Sequence, residues 1–505
     1  MLDASNMTTA KATVSELPFT ADELLRALLH LAPERCVRIL DSGGARGDGS
    51  EARFLIAGFD PFETVEARGH ELSIQRRGET SIGVERGALL SLLDERLARY
   101  RLAHTATPRE TLQLPVAGGA CIAAFAYDLA RQFERLRTRP PVAREADVAL
   151  EPDAALAFYD TLFVHDYARN KTYLTSIAGD EGVARAHAAL IEARHAGGFD
   201  GDDEPPESPG ERRTVANSNF TRAEYVAAVH RIKQHIYAGD IYQANLTQQF
   251  TSRLRAGDSA ARVFLRLRRE HPASFAAFLR RRADTIVSAS PERFLRVSPC
   301  AEDEDARRVE AWPIKGTRRR GRTSAEDARL KDELRLSAKD AAENVMIVDL
   351  LRNDLGRVCR YGTVEVGALC ELQEHPTLFH LVSKVRGRLR SEVTAGELLR
   401  ATFPCGSITG APKLRAMEII DDSERAPRGL SMGALGYFSF DGRADLSVAI
   451  RTMTIGRDRR ARFNVGGGIV AESDPEAEYE ESLVKARALL RALRATEEET
   501  IKDER

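Results

Sequence analysis

The amino-acid sequence predicts an α+β fold, and two patterns in its 505 residues support that prediction. Short runs rich in β-branched and aromatic residues, typical of strands, are mixed with stretches of helical periodicity. The two kinds of segment do not follow the strict strand–helix–strand rhythm of a doubly wound parallel sheet. With 43% hydrophobic residues the chain can bury a large core, and its length is more typical of two structural units than of one.

The first unit begins with a helical pattern at residues 21–30 and continues with strand-like runs at 122–127 and 161–165. Residues 197–213, GGFDGDDEPPESPGERR, are too acidic and too rich in Gly and Pro to bury a core, so they predict a linker or long surface loop. The chain is therefore divided into a flexible N-terminus, a first region, a linker, a second region and a charged tail, at residues 1–20, 21–196, 197–217, 218–495 and 496–505.

The second unit opens with a helix whose start is marked by a capping box, in which Thr221 and Glu224 are three residues apart. Apolar residues follow at helical spacing, and Gly239 can end the helix. A strand at 241–250 comes directly after it. Further strands are predicted at 284–288, 434–440, 446–455 and 462–465, and further helices at 325–336, 338–354, 414–420 and 475–494.

The charge balance gives no sign of a polyanionic partner. Lys plus Arg number 74 and Asp plus Glu 76, so the net charge of −2 predicts binding neither to nucleic acid nor to a membrane surface. The longest charge-free stretch, residues 112–127, is shorter than the roughly 20 apolar residues that a membrane helix needs. A missing signal-peptide pattern and six cysteines without a C-x-x-C pair favour a cytoplasmic protein.

Two acid pairs are candidate metal ligands. Asp340 with Glu343, and Glu478 with Glu481, are each three residues apart in a predicted helix, so each pair shares a helix face. Magnesium prefers oxygen ligands and usually takes one or two protein carboxylates, so two such helices that meet would suit it. By spacing alone, solvated helix faces remain the favoured interpretation.

A second candidate is the loop at 313–321, PIKGTRRRG, which surrounds Lys315. The neighbouring arginines are expected to disfavour the charged form of this lysine and so to favour its use as a nucleophile. Without other information, an exposed basic turn is the favoured interpretation of the loop. Two segments rich in small residues, at 403–413 before a helix and at 466–468 after a strand, could bring main-chain groups close to an anion or ligand.

In their order along the chain, these segments resemble the chorismate-utilising enzymes, a family that includes anthranilate, isochorismate and salicylate synthases. The resemblance covers nearly the whole chain. It favours functional sites at the acid pairs and the Lys315 loop, where each motif alone favours a solvated surface. The matching segments are LDS at 40–42, GG at 118–119, YD at 127–128, DIYQANL at 240–246, SPERF at 290–294, the Lys315 loop, EN at 343–344 through RND at 352–354, HLVS at 380–383, SITGAPK at 407–413, IRT at 450–452 and residues 466–481.

The resemblance implies two large, mostly antiparallel sheets packed face to face with helices on the outside, to which both halves of the chain contribute. It implies chorismate as substrate, a dianion that cannot be buried without paired cations and donors. Glu343 and Glu481 would bind Mg²⁺, supported by Asp340 and Glu478. The implied substrate contacts are Arg451 with the main chain of Gly466 and Gly467 at the enolpyruvyl carboxylate, His380 near C4, and Thr317, Thr409 and Lys485 elsewhere in the site.

Lys315 separates activities within the family. Members that form 4-amino-4-deoxychorismate resemble this chain in P-I-K-G-T, whereas anthranilate synthases usually have alanine at the lysine position. The resemblance therefore implies conversion of chorismate and ammonia to 4-amino-4-deoxychorismate, for p-aminobenzoate and folate; the activity of anthranilate synthase component I is the alternative. Lys315 would attack C2 as the C4 hydroxyl leaves, ammonia would add at C4, and Glu292 would be the acid and base.

The source of ammonia and four unusual positions complete the comparison with the family pattern. The chain has no glutaminase motif of the G-x-C-x-G type, and the resemblance implies a heterodimer with a glutamine amidotransferase subunit.

Ser431 stands where an aromatic residue is common, Arg319 where proline is common and Cys405 where glycine is common. Asp41 replaces the glutamate of the L-E-S pattern found at the effector site of tryptophan-regulated relatives.

Overall fold

The computed structural model describes residues 12–44, 53–101, 114–116, 118–137, 151–195, 213–300, 303–374 and 378–497. Most of the predicted linker and tail, and the first half of the predicted N-terminal segment, lie outside these ranges. Where these three segments are described, they contain strands at Thr13–Leu17, Thr214–Ser218 and Ala495–Glu497. These short segments pair through main-chain hydrogen bonds that composition does not reveal.

The strands are numbered in chain order. They are β1 (Thr13–Leu17), β2 (Arg38–Asp41), β3 (Phe54–Gly58), β4 (Glu63–Arg68), β5 (Glu71–Arg76), β6 (Gly83–Arg86), β7 (Ala120–Phe125), β8 (Ala154–Tyr159), β9 (Thr161–Asp166), β10 (Lys171–Ser176), β11 (Thr214–Ser218), β12 (Gln243–Arg253), β13 (Phe275–Arg280), β14 (Asp284–Ser290), β15 (Arg293–Cys300), β16 (Asp303–Trp312), β17 (Ile314–Arg319), β18 (Glu365–Glu374), β19 (Leu378–Arg388), β20 (Gly410–Ala411), β21 (Ala434–Ser439), β22 (Ala444–Val448), β23 (Thr452–Gly456), β24 (Arg460–Ile469) and β25 (Ala495–Glu497).

The described strands form two large sheets, and each contains strands from both halves of the chain. Sheet A has the order β1-β10-β9-β3-β2-β13-β14-β23-β24-β12-β11-β25, with β20 paired to β12. Sheet B has the order β17-β19-β16-β15-β22-β21-β7-β8-β4-β5-β6, with β18 paired to β19. Neighbouring strands are antiparallel except β11 and β25, which are parallel. The two regions of the sequence therefore build one body rather than two separate domains.

The helices are α1 (Ala21–His30), α2 (Leu89–Arg99), α3 (Gly179–His195), α4 (Arg222–Tyr237), α5 (Ala260–Glu270), α6 (Ser324–Arg335), α7 (Ala338–Gly356), α8 (Ala395–Thr402), α9 (Lys413–Ser423) and α10 (Pro475–Ala492). The inner faces of the two sheets pack together, as when Ile56 and Leu279 of sheet A join Ile122 and Leu435 of sheet B in one apolar cluster. Helices α1, α3, α5 and α10 cover the outer face of sheet A, and α2, α7 and α8 cover that of sheet B. This confirms the predicted α+β arrangement.

Most of the elements that local signals predicted are present in the structure. The predicted capping box is present, with Thr221 accepting from the main-chain N–H of Glu224 and the Glu224 carboxylate accepting from that of Thr221. The prediction of a single strand at 446–455 is wrong. The chain leaves β22 in sheet B at Val448 and enters β23 in sheet A at Thr452, with Arg451 between them at φ +49°.

In the described part of the chain, no helix is both long and apolar enough to cross a membrane.

Candidate active site

The candidate site lies where β17 of sheet B approaches β12 and β24 of sheet A. Lys315 is on β17, and a Cβ atom added at Gly468 of β24 would lie 3.5 Å from its Nζ. The same added atom would clash with Nε2 of Gln243 on β12. Glycine at position 468 therefore leaves room for the ends of the lysine and glutamine side chains.

Two helices direct carboxylates to the same place. Glu343 comes from α7, while Glu478 and Glu481 come from α10 and share its inner face because they are three residues apart. A Cβ added at Gly467 would lie 3.1 Å from Oε2 of Glu478 and 3.8 Å from Oε1 of Glu481. The glycine segment of β24 thus lies directly beneath both side chains of α10.

Each of these three carboxylates has a lysine partner. The separations between Nζ and the nearest carboxylate oxygen are 3.8 Å for Lys315 and Glu343, 3.3 Å for Lys339 and Glu478, and 2.7 Å for Lys485 and Glu481. Burial raises the pKa of Glu343 against the opposing effect of its lysine neighbours, and the nearby carboxylates of Asp340 and Glu478 raise it further. Lys485 lowers the pKa of Glu481 more than any other neighbour.

These carboxylates fit a hard divalent cation by their chemistry. No preformed group of three metal-ligating side chains exists within the described ranges. Burial is the main cause of the raised pKa of Glu343, with smaller contributions from the carboxylates of Asp340 and Glu478, and a bound cation would favour the charged form of all three. Magnesium commonly binds through only one or two protein carboxylates, with water and substrate completing its ligands, so a preformed cage is not required.

Asp340 takes a different position from the other acids. It accepts a hydrogen bond from Nη2 of Arg318 at 3.3 Å, and its Cβ and Cγ would both lie 3.0 Å from a Cβ added at Gly316. Asp340 therefore supports the Lys315 loop, where Gly316 has φ +81°. The three loop arginines are all paired with carboxylates: Arg318 with Glu333 and Asp340, Arg319 with Glu326, and Arg320 with Asp327. These carboxylates offset the repulsion that the arginines were expected to exert on Lys315.

Glu292 is a buried acid beside the lysine. Glu292 follows the end of β14 in the chain. Its Oε1 atom has no hydrogen-bond partner among the described residues. Burial raises the pKa of Glu292 to about 7, although the Ser407 hydroxyl and the Lys315 charge act in the opposite direction. A carboxyl group with this pKa can give and take protons near neutral pH.

His380 and Thr317 are directly opposite each other on β19 and β17. The Thr317 hydroxyl and Nδ1 of His380 are 2.9 Å apart, so the threonine fixes the orientation of the imidazole. Thr409 is less directly available, because its hydroxyl donates to the carbonyls of Cys405 and Gly406 at 3.2 Å. The predicted contact of Thr409 with substrate would have to come from its main chain or its methyl group.

Arg451 occupies the crossing between the two sheets. Its left-handed backbone costs about 1–2 kcal/mol relative to the ordinary conformations of an L-residue. Burial lowers the pKa of its guanidinium, for which no ion pair is found within the described residues. A guanidinium in this state is suited to a carboxylate brought by a ligand.

The other predicted contacts lie on β24 and α10. Nζ of Lys485 donates to the carbonyl of Gly466 at 2.9 Å as well as pairing with Glu481, so it fixes the glycine segment. A Cβ at Gly466 would clash with the carbonyl of Leu246 on β12. Gly466 is therefore required by strand packing, whereas Gly467 faces the carboxylates.

Two polar residues of the site belong to the DIYQANL segment at 240–246 but were not predicted to act in the site. Gln243 is 1% exposed and Asn245 is 7% exposed, both on β12. The amide oxygen and nitrogen of Gln243, and Oδ1 of Asn245, have no partner in the part of the chain that is described. Their spacing of two in a predicted strand was the available signal, because alternate residues share one face.

The unusual positions of the sequence have local roles. Ser431 is buried and accepts from the main-chain N–H of Asn464 at 3.1 Å. Cys405 is buried with Sγ 3.4 Å from the hydroxyl of Ser407, a neighbour of Glu292. Arg319 lies on the exposed side of its loop, paired with Glu326. Asp41 accepts from Tyr167 at 2.6 Å and from Arg268 at 2.6 Å, so its carboxylate is already engaged within the fold.

Known proteins similar to this chain match it over most of its length. The chorismate binding enzyme family matches residues 46–491. Aminodeoxychorismate synthase component 1 of Klebsiella aerogenes is 37% identical over 477 residues, covering 94% of this chain and 98% of the relative. Anthranilate synthase component 1 of Acetivibrio thermocellus is 33% identical, covering 91% of this chain and 90% of the relative.

A solved structure supports the assignment. The crystal structure of anthranilate synthase component I from Streptococcus pneumoniae superposes with a TM-score of 0.70 at 26% identity, covering 88% of this chain and 93% of that one. The fold and the sequence thus agree over nearly the full length. The chain belongs to the chorismate binding enzyme family.

Proposed function

We propose that this chain is the chorismate-converting component of an aminodeoxychorismate synthase, which forms 4-amino-4-deoxychorismate from chorismate and ammonia. The position of Lys315 is the main support, because its Nζ lies between Glu343 and the glycine segment at Gly468, beside Gln243. The Klebsiella relative, which is named for this activity and matches nearly the whole chain, agrees with it.

In the first half of the reaction, the neutral Nζ of Lys315 forms a bond to C2 of chorismate, the two ring double bonds shift from C1=C2 and C5=C6 to C1=C6 and C4=C5, and the bond from C4 to its hydroxyl breaks. Glu292 gives the proton that lets the hydroxyl leave as water, since its pKa of about 7 keeps its acid form available near neutral pH. Glu292 then recovers a proton from the new secondary ammonium. The result is a covalent adduct on Lys315.

In the second half, ammonia forms a bond to C4, the two ring double bonds return to C5=C6 and C1=C2, and the bond from C2 to Nζ breaks. Glu292 returns a proton to Lys315 and removes one from the new amine, so enzyme groups end as they began. The net change converts chorismate and ammonia to 4-amino-4-deoxychorismate and water. The enolpyruvyl group stays on the product, which makes a separate lyase necessary for p-aminobenzoate.

The other residues bind and orient the substrate. Arg451 would pair with the enolpyruvyl carboxylate beside the main chain of Gly466 and Gly467, and His380, oriented by Thr317, would lie near C4. Lys485 would act by holding the glycine segment, and Thr409 would line the site.

Magnesium would be held by Glu343 and Glu481, with Glu478 beside them and Asp340 supporting the loop. When bound, the ion would neutralise and orient the ring carboxylate of chorismate. We further propose that a glutamine amidotransferase subunit supplies the ammonia.

The second candidate is the activity of anthranilate synthase component 1, the name carried by the Acetivibrio relative. Product identification from chorismate, magnesium and ammonium separates the two. Anthranilate fluoresces and forms with release of pyruvate, whereas 4-amino-4-deoxychorismate yields p-aminobenzoate only after the lyase is added. Anthranilate as the main product would overturn the first proposal.

A further inference from the structure

Two polar side chains that the proposed mechanism does not use are buried beside the candidate site. Asn344 and Ser383 are both 0% exposed. The Ser383 hydroxyl donates to Oδ1 of Asn344 and accepts from the main-chain N–H of Cys370 at 2.9 Å. Nδ2 of Asn344 donates to the main-chain carbonyl of Leu381 at 3.3 Å. The serine hydroxyl and both ends of the asparagine amide are therefore engaged in one continuous series of hydrogen bonds.

These hydrogen bonds connect α7 to β19, the strand that pairs with β17. Asn344 lies on α7, while Leu381 and Ser383 lie on β19. Leu381 is directly opposite Lys315 in the pairing of β17 with β19. The main-chain N–H of Ser383 donates to the carbonyl of Pro313 at 3.1 Å, where the Lys315 loop begins. The part of β19 that Asn344 contacts is thus the part that holds the strand of the proposed nucleophile.

Ser383 also fixes an irregular part of β18. The register of β18 against β19 shifts between Ala368 and Glu371, and Cys370 in the shifted segment has φ +51°. A strand bulge disrupts the hydrogen-bond ladder locally, and here the Ser383 hydroxyl accepts from the N–H of Cys370. Loss of this hydroxyl would leave two buried groups without it, the N–H of Cys370 and Oδ1 of Asn344.

The alignment of α7 matters for the site because Glu343 directly precedes Asn344 in this helix. Nζ of Lys315 lies 3.8 Å from Oε2 of Glu343, close to where Asn344 joins α7 to β19. The apolar contacts that α7 makes with the core are non-directional, whereas a hydrogen bond requires a defined distance and angle. The Asn344–Ser383 pair is therefore suited to fix how α7 is rotated and shifted along β19.

We propose that Asn344 and Ser383 are positioning residues, which hold α7 against β19 so that Glu343 is in reach of both Lys315 and a bound cation. This inference rests on the proposed function, in which Glu343 is a metal ligand and Lys315 the nucleophile. Both side chains are buried with their polar atoms engaged, so they act through Glu343 and Lys315 rather than on chorismate. A misplacement of about 1 Å can slow a reaction about 10²-fold.

Ser383→Thr and Ser383→Val isolate the hydroxyl, because the two new side chains have nearly the same shape and only threonine keeps it. Calorimetry measures magnesium binding without turnover. The Kd for magnesium should be about tenfold or more higher in Ser383→Val than in Ser383→Thr, the effect typical of residues that orient a metal ligand. Adduct formation on Lys315 should slow in the same order. Equal magnesium affinities and equal adduct rates in the two variants would overturn the proposal.

Asn344→Leu tests the other half of the pair. It should weaken magnesium binding as Ser383→Val does, and the double variant should be no worse than either single variant, because both changes break one series of hydrogen bonds. Additive losses would contradict a shared role. Should Ser383→Val fail to fold, Ser383→Ala replaces it.

Ser176→Ala is the matched control. It removes a buried hydroxyl that is 2.9 Å from that of Thr161, on β10 at the other end of sheet A from β12. It should lower the melting temperature while leaving magnesium affinity and adduct formation unchanged. A parent chain that binds magnesium but forms no adduct would refute the lysine chemistry alone, because the magnesium affinities of the variants still decide the positioning role. A parent chain that does neither would overturn both.

Discussion

Nζ of Lys315 lies 3.8 Å from Oε2 of Glu343, across the contact between β17 and α7. The proposed nucleophile is thus paired with a proposed metal ligand. Glu343 cannot bind a cation and hold the lysine equally well, because one carboxylate then serves two positive groups that repel each other. Metal binding at Glu343 and release of Lys315 are therefore expected to be linked.

Lys315→Ala tests the covalent step. With chorismate and magnesium but no ammonia, the parent chain should accumulate chorismate minus water on the peptide containing Lys315, detected by mass spectrometry. The alanine variant should show no adduct and form product about 10²-fold more slowly or worse, while still binding chorismate. Lys331→Ala, at a partly buried helix position where the lysine pairs with Glu374, is the control. Product formation by Lys315→Ala at the parent rate would rule out this nucleophile.

Glu343→Gln and Glu481→Gln test the metal site. Each variant should require much more magnesium for activity, because a neutral amide is a poorer ligand for a hard cation than a carboxylate. Direct magnesium binding by calorimetry should weaken in parallel, with little change in the melting temperature. Glu480→Gln is the matched control, since Glu480 is next to Glu481 but pairs with Arg222 on the surface. Parent-like magnesium affinity in both site variants would remove the proposed ligands.

The raised pKa of buried Glu292 predicts that the stability of the folded chain falls as pH rises. Its pKa is raised from 4.5 to about 7, so the folded chain holds this proton more tightly than the unfolded chain does. The carboxyl therefore favours folding at pH below 4.5, and this contribution is lost as pH rises through 7, by roughly 3 kcal/mol. Glu292→Gln should remove that loss, which denaturant unfolding at pH 5 and pH 8 would measure. An unchanged pH profile would contradict the buried acid.

The same residue predicts a kinetic effect. If Glu292 protonates the leaving hydroxyl, the rate of adduct formation on Lys315 should fall as pH rises above about 7 through loss of the acid form. Glu292→Gln should form the adduct about 10²-fold more slowly. Rapid-quench mass spectrometry measures this step separately from ammonia addition. A fast adduct in the glutamine variant would assign the proton to another group.

The ammonia supply gives a further prediction. The purified chain should form product with ammonium at alkaline pH, where free ammonia is present, and should not use glutamine. Adding a glutamine amidotransferase subunit should confer glutamine-dependent turnover. Release of glutamate by the chain alone would show that it has a glutaminase activity of its own.

The helices and strands that the sequence by itself determined are those whose signals are local. The Thr221 capping box lies within a few residues, and the structure has both it and the strand predicted directly after its helix. The ordered motifs also identified the family, since so many matches in sequence order specify one fold. Glu343 and Glu481 were recognised in this way although 138 residues separate them.

Only the tertiary structure decided where charges and strands meet. The break at Arg451 was not visible in the sequence, because the apolar pattern at 446–455 continues across a crossing between two sheets. The loop arginines near Lys315 proved to be paired with carboxylates that the sequence gave no reason to place there. Electrostatic partners depend on distances between segments remote in the chain, and those distances exist only once the sheets have packed.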